Sequence, residues 1–284
     1  MRFAFIKSHQ RRWPVMLMCR VLAVSRGGYY HWLVRPKSQQ AQRRRRVTKL
    51  IQIAHAESRE TYGSPRVHRD LLELGQACSV NFVAKLMRAA GIVAKTRRKF
   101  KVTTDSKHNL PVADNLLARD FSPEKTNQAW VTDITFIPTR EGWLYLATVE
   151  DLFSRRIVGW AMSSRIDSRL VVDALQMAID RRRPMIGVIV HSDRGSQYCS
   201  EHYQRLLEKY GLRCSMSRKG NCWDNAPMES FYRTLKVELV YWEDYDSRDQ
   251  AQRSIAEFIE AFYNRRRRHS TIDYRSPVDY EMAA

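Results

Sequence analysis

The sequence is short of acid. Only 30 Asp and Glu stand against 49 Lys and Arg, a formal net charge of +19 over 284 residues. The excess is clustered, as in Arg43–Arg46 and Arg265–Arg268. Such clusters fit a polyanionic partner better than a merely solubilising surface, because each neutralised phosphate releases condensed counterions. Long apolar runs are missing too: none approaches the roughly 20 residues needed to cross a bilayer. The opening MRFAFIKSHQRRW has too short an apolar stretch for a secretory signal. Cysteine is scarce. Cys19, Cys78, Cys199, Cys214 and Cys222 include no C-x-x-C pair, which argues against a zinc ribbon or a disulfide framework and for reduced thiols in a cytoplasmic protein. No sustained heptad pattern is found. What is present in quantity is apolar: 44% of residues, enough to bury a sizeable core.

The first hundred residues read as short helices with basic flanks. Val15 to Val24 suits a helix, and Ser25 offers an N-cap for another through GGYYHWL. In a second pair, Arg66 to Leu74 carries Val67, Leu71 and Leu74 at helical spacing, and Gly75 breaks it. Ser79 then caps Asn81 to Ala90, with Val83, Leu86 and Met87 inward. This is a plain helical hairpin or a helix-turn-helix, and the surrounding Arg and Lys favour DNA contact. From about 94 to 125, basic and turn-forming residues predict a linker. The expected division is a helical segment over 1–45, a helix-turn-helix-like module over 46–105, a linker over 106–125, a catalytic core over 126–240, and a helical extension over 241–284.

From Trp130 the texture is α/β. WVTDITFIPT, WLYLATVED and RIVGWAMS are strand-like runs split by REG and FSRR, and connections this short imply an antiparallel meander. Ser168 to Arg182 follows as a helix with Leu170, Val171, Ala174, Leu175, Ala178 and Ile179 on one side. MIGVIVHSD reads as a buried strand, Glu201 to Tyr210 as a helix, and LRCSMS as a further strand. This order describes a mixed five-stranded sheet with flanking helices, the order of ribonuclease H-like domains.

Three carboxylates stand out. Asp133 lies on a strand whose two faces are both largely apolar, where an ionised carboxylate costs several kcal/mol or more unless paired. Asp193 ends VIVHSD, where a buried strand runs into a Gly-containing loop, and such strand ends gather sites. Glu229 lies in DNAPMESFYRTLKVEL, a helix that Asp224 or Asn225 can cap. Arg233 and Lys236 share its face; Lys236, two turns on, suits a DNA phosphate, whereas Arg233 is the partner expected of a merely structural Glu229. Carboxylates converging from two strands and a helix suit hard cations, Mg²⁺ or Mn²⁺. Two such ions about 3.5–4 Å apart serve an in-line phosphoryl displacement without a His or Lys base.

Thirty-five residues separate Asp193 from Glu229, and Lys236 follows seven positions later. This resembles the D,D(35)E motif of retroviral integrases and related bacterial transposases. WVTDITFI, EGWLYLATVEDLFSR, VIVHSDRGSQY, NAPMESFYRTLKVE and FIEAFYNRRRRHSTIDYRSP, with FIKSHQRRWPVMLMCRVLAVSRGGYYHWL and YGSPRVHRDL upstream, resemble the OrfB transposase of two-frame bacterial insertion sequences over nearly the whole chain. The resemblance implies a ribonuclease H-like core with Asp133, Asp193 and Glu229 as metal ligands and Lys236 as a DNA contact. It also implies 3′-end cleavage and strand transfer through a circular intermediate. The retroviral His/Cys zinc module is absent, since His9 and His31 have no paired cysteines near them. The family's end-recognising helix-turn-helix and leucine zipper usually lie in a first reading frame, so the expected partners are that first-frame product, double-stranded DNA at element ends and target, and further copies of this chain on nucleoid DNA.

Other residues admit more than one reading. His191 either orders a metal-bound water, touches DNA, or fills space near its strand end. Asp151 is expected in an ion pair with Arg155 or Arg156 rather than as a fourth ligand. Trp223 either stacks on an unpaired base or packs at the helix entry. Arg194, Arg233, Arg265 and Arg266 are expected at DNA, although a basic helix end also favours its own dipole. The competing functions are a ribonuclease H-type nuclease that cuts without joining and an inactive DNA-binding regulator.

Overall fold

The computed structural model describes residues 1–36, 38–95, 113–218 and 222–284, save the side chains of Cys222 and Trp223. The first part of the expected linker, 106–112, and the role of Trp223 therefore lie outside the described residues. The chain forms two compact units, 1–52 and 53–284.

In the first unit, α1 (Arg2–His9), α2 (Val15–Val21) and α3 (Arg26–Val34) gather around buried Ile6, Met18, Cys19 and Tyr29. Ser25 caps α3 as its position predicts, accepting from the Gly28 amide at 3.0 Å. A long helix, α4 (Gln39–Glu57), spans the basic run Arg43–Arg46 and continues past Gln52. The sequence reading assigned no helix there.

In the second unit, α5 (Ser64–Glu73) and α6 (Val80–Ala89) form the expected hairpin. Ser79 caps α6 at the Phe82 amide, 3.2 Å away, and Val83, Leu86 and Met87 are buried. Of the predicted α5 stripe, Val67 and Leu71 are buried but Leu74 is exposed. Leu74 falls at the C-cap, where the chain turns away through Gly75 at φ +71°.

The sheet contains β1 (Ala129–Thr139), β2 (Gly142–Asp151), β3 (Arg156–Ser163), β4 (Ile189–Ser192) and β5 (Arg213–Met216), in spatial order β3-β2-β1-β4-β5. The first three form the antiparallel meander, while β4 and β5 join in parallel. Beyond β3, α7 (Ser168–Arg182) buries all six residues named from its periodicity, with Asp167 as its cap. With α8 (Glu201–Lys209) it forms a core against Trp130, Val149 and Val190. Gly159 on β3 lets α7 come close: a β-carbon there would stand 2.2 Å from the Ala174 carbonyl oxygen. Strand β4 is shorter than MIGVIVHSD suggests. Met185 and Ile186 are exposed, and Gly187 at φ +101° gives its amide to the Gly211 carbonyl, so strand pairing starts only afterwards.

The opposite face receives α9 (Ala226–Glu238) through the Tyr232 hydroxyl, 2.9 Å from Thr148 Oγ1 on β2. Helix α10 (Arg248–Glu257) packs on β1 and β2 and widens into a π-helical turn over Phe258–Tyr263, before the short α11 (Pro277–Met282). No described helix is long and apolar enough to cross a membrane, and none of the four described cysteines forms a disulfide.

Candidate active site

Asp133 sits midway along the central strand, half-buried, its Oδ1 accepting from the Ile134 amide at 2.7 Å. Parallel pairing places Val131 beside His191. Asp193 follows the last residue of β4, Ser192, on the strand next to the one that carries Asp133. The electrostatics agree. Burial pushes the Asp133 carboxyl well up, and the Asp193 charge pushes it further than that of Glu229, while the Ile134 amide and the Lys236 ammonium oppose the rise. Asp193 is half-buried where the chain leaves β4, and its Oδ1 accepts from the Gly195 amide at 2.9 Å. Glu229 occupies the first turn of α9, exposed on the outside of the helix, its carboxyl raised by partial burial alone. Arg233 leaves no mark on it, so the structural pairing considered for Glu229 does not occur. Lys236 is half-buried; burial lowers its ammonium pKa and Asp133 raises it.

Among the described residues no three His, Cys, Asp or Glu side chains form a ready-made metal cage. The donor set nonetheless fits a hard divalent cation. It is all oxygen and acidic, and the repulsion between Asp133 and its neighbours is what a cation between them relieves.

Three family models match: an HTH-like domain over residues 42–100 and two integrase core domains over 123–222 and 210–277. The transposase InsF for insertion sequence IS3A of Escherichia coli K12 is 44% identical over 283 residues, covering 99% of this chain and 98% of that one. The chain belongs to the InsF family of insertion-sequence transposases. A 31 kDa protein of insertion element IS600 from Shigella sonnei is 47% identical over 263 residues, 93% of this chain and 97% of that one. Among solved structures, a chain of a simian T-cell lymphotropic virus intasome in complex with PP2A regulatory subunit B56 gamma aligns with 83% of this chain and 74% of its own, at 14% identity and a TM-score of 0.48. The transposase has a mixed five-stranded sheet with flanking helices and an integrase core, and is a polynucleotidyl transferase-type enzyme.

Two residues of the transposase tie α9 to β1: Tyr232, which sequence reasoning missed, and Asn225, which it considered only as a cap. The Tyr232 hydroxyl donates to the Asp133 carbonyl, and Asn225 Nδ2 donates to the Thr132 carbonyl at 3.2 Å. The available signal was spacing: Tyr232 lies three residues after Glu229, one helical turn on. Asp224 does not cap α9, and Asn225, at the cap position, makes no side-chain capping bond. Asp224 is instead fully buried and accepts from Arg218 Nη2 at 2.8 Å, Arg119 Nε at 2.8 Å and Asn115 Nδ2 at 3.0 Å. These bonds, the Arg218 side chain first, hold its carboxyl well below the usual carboxylate range. Its folded pKa is depressed, so its stabilisation is complete above about pH 4, the unfolded value, and fades as pH falls through the folded value. Asp224→Asn is expected to cost about 1–3 kcal/mol at pH 7. In urea titrations the gap to the parent should close below about pH 2; a gap constant with pH would contradict this account.

The other sequence-predicted residues divide. Arg233, Arg265 and Arg266 are exposed, and Arg194 Nε donates to the Ser217 carbonyl at 2.7 Å. The rest of the basic cluster is engaged internally: Arg267 is buried against Glu238 at 2.7 Å, and Arg268 binds Asp70 at 2.6 Å and also Glu73. His191 is buried between Ser215 and Ser217, with Nδ1 2.8 Å from the first and Nε2 3.1 Å from the second. Burial lowers it to about 4, so it links strands as a neutral ring. Asp151 pairs with Arg182 at 3.3 Å, not with Arg155 or Arg156, which turn to Glu150 and Glu281. The distant helix α7 supplies the nearer guanidinium.

Proposed function

We propose that Asp133, Asp193 and Glu229 are the catalytic triad of this transposase, and that the chain cleaves 3′ ends of an insertion sequence and joins them to target DNA. The observation that supports this reading is the placement of Asp133 on β1 and Asp193 at the end of the adjacent parallel strand β4, with the charges of Asp193 and Glu229 both raising the Asp133 carboxyl. The three carboxylates would hold Mg²⁺, or Mn²⁺, as two ions. When bound, they supply Lewis-acid activation of the attacking oxygen and stabilisation of the leaving one. Asp133 contributes a fixed position, set by hydrogen bonds on both sides of β1, and Glu229 approaches from the tethered helix. Lys236 lies on the same helix face as Glu229 and neutralises a phosphate beside the cut site. Arg233, Arg265 and Arg266 offer exposed guanidinium groups to flanking DNA, and Arg194 stands beside Asp193.

The division at residues 45, 105, 125 and 240 follows this reading, with DNA-contacting helical modules ahead of the core. So do a first-frame partner that finds the element ends, several copies on one DNA complex, and residence on nucleoid DNA in the cytoplasm. The test incubates the chain, alone and with the first-frame product, with labelled element ends and Mg²⁺ or Mn²⁺. Joined products are expected. Metal-dependent cutting of RNA–DNA hybrids without joining would replace this reading with the nuclease, and DNA binding without either reaction with the inactive regulator.

A further inference from the structure

Beside the carboxylate face of α9 lies a separate cleft of about 310 Å³. It is lined by Pro227, Ser230, Phe231 and Thr234, a helix face turned by about 100° per residue from Glu229. The opposite wall holds Arg66, Arg155 and Arg267, and the rim holds Ser270 and Thr271. Three guanidinium groups thus face one small space. Glu238 satisfies Arg267 at 2.8 and 2.7 Å and reaches Arg66 only at 3.5 Å. Among the described residues the acid lining the cleft is Glu150, fully buried, with Oε1 lacking any hydrogen-bond partner and Arg155 3.6 Å away.

We propose that this cleft binds a backbone phosphate of the DNA strand that passes the carboxylates. The chemistry is complementary. A phosphate diester accepts from Arg66 and Arg155 and from the rim hydroxyls, and it also accepts from a neutral Glu150 carboxyl, giving the orphaned group a partner. Burial, ahead of the opposing Arg155 charge, raises the Glu150 carboxyl to about 8, so at neutral pH it holds a proton to donate. His269 senses the same field: burial first, then Arg267, Arg66 and Arg155, keeps it uncharged. With Glu150 neutral, the lining is net cationic. Because Ser230 follows Glu229 directly, one strand can meet both faces of α9. This site rests on DNA being the substrate, but not on which carboxylates do the chemistry.

The test is a methylphosphonate walk along a duplex carrying the element end, with binding measured in the absence of divalent cation. In the parent, one neutralised phosphate should weaken binding about tenfold, and in Arg66→Gln the same position should be silent. The salt slope of binding should fall by about 1 in that variant. Thr271→Asp puts a carboxylate at the rim while keeping every native ion pair; it should act likewise, and it decides the matter if Arg66→Gln unfolds. An identical walk in parent and folded variants would overturn the proposal. Thermal protection by inorganic phosphate alone, lost in Arg66→Gln while the walk is unchanged, would assign the cleft to a free anion and overturn the DNA assignment. Failure of the carboxylate triad in strand-transfer assays would leave the walk unaffected, so the two readings fail separately.

Discussion

Asp193→Asn is expected to lower strand transfer by more than about a hundredfold, the upper range for groups that merely support metal ligands, while leaving the fold intact. The substitution keeps the shape of the side chain and retains Oδ1, which accepts from the Gly195 amide. It removes one of the charges that push Asp133 upward. Urea stability should therefore hold or rise slightly, and DNA binding should hold or tighten, since one negative charge near the phosphates is lost. Activity and stability move apart only if Asp193 serves the chemistry. Strand transfer within about tenfold of the parent, in a variant with normal DNA binding, would remove Asp193 from the triad.

The second large effect concerns folding. Gly159→Ala is expected to destabilise the chain by at least about 3 kcal/mol, beyond the ordinary penalty of overpacking. The added carbon would meet the Ala174 carbonyl oxygen at 2.2 Å and the Ala178 amide nitrogen at 2.7 Å. Both are backbone atoms of α7, which cannot rotate aside as a side chain would. The ordinary gain from replacing glycine, roughly 0.4–1 kcal/mol through the unfolded state, is too small to compensate. Gly27→Ala is the matching control, because nothing lies within 4 Å of its added carbon; near-neutral or slightly stabilising behaviour is expected. Thermal unfolding of both variants checks the pair, and a Gly159→Ala protein as stable as its parent would contradict the close approach of α7 to β3.

Elements with a strong period were legible from sequence. The six-residue stripe of α7 and the three meander strands are set by local alternation and short turns, and the structure has them where expected. Weak periods were not legible: α4 hides its few buried positions, such as Val47, Ile51 and Ala54, behind a run of arginines. MIGV is composed like a strand, but Gly187 and its bond to Gly211 hold it out of the sheet. In the candidate site, spacing picked out the three carboxylates and Lys236. Spacing put Tyr232 one turn from Glu229 but could not give its role, which depends on a strand about a hundred residues earlier. Nor could it sort the arginines. Arg267 and Arg268 look like Arg265 and Arg266 in sequence, and only the fold brings Glu238 and Asp70 against them.

The clamp on Glu238 bears on how copies of such an element should be counted in a genome. Glu238 is the last residue of α9, and its carboxylate is gripped by buried Arg267 near the C-terminal end of the chain. A reading frame cut short between these two residues would still encode Asp133, Asp193, Glu229 and Lys236. Its helix, however, would end in a carboxylate that has lost its main partner, and a cut ahead of Ile255 would also remove the buried Ile255, Phe258, Ile259 and Phe262. A census that scores an element as intact by its acidic residues alone would therefore include copies that have been silenced from the tail.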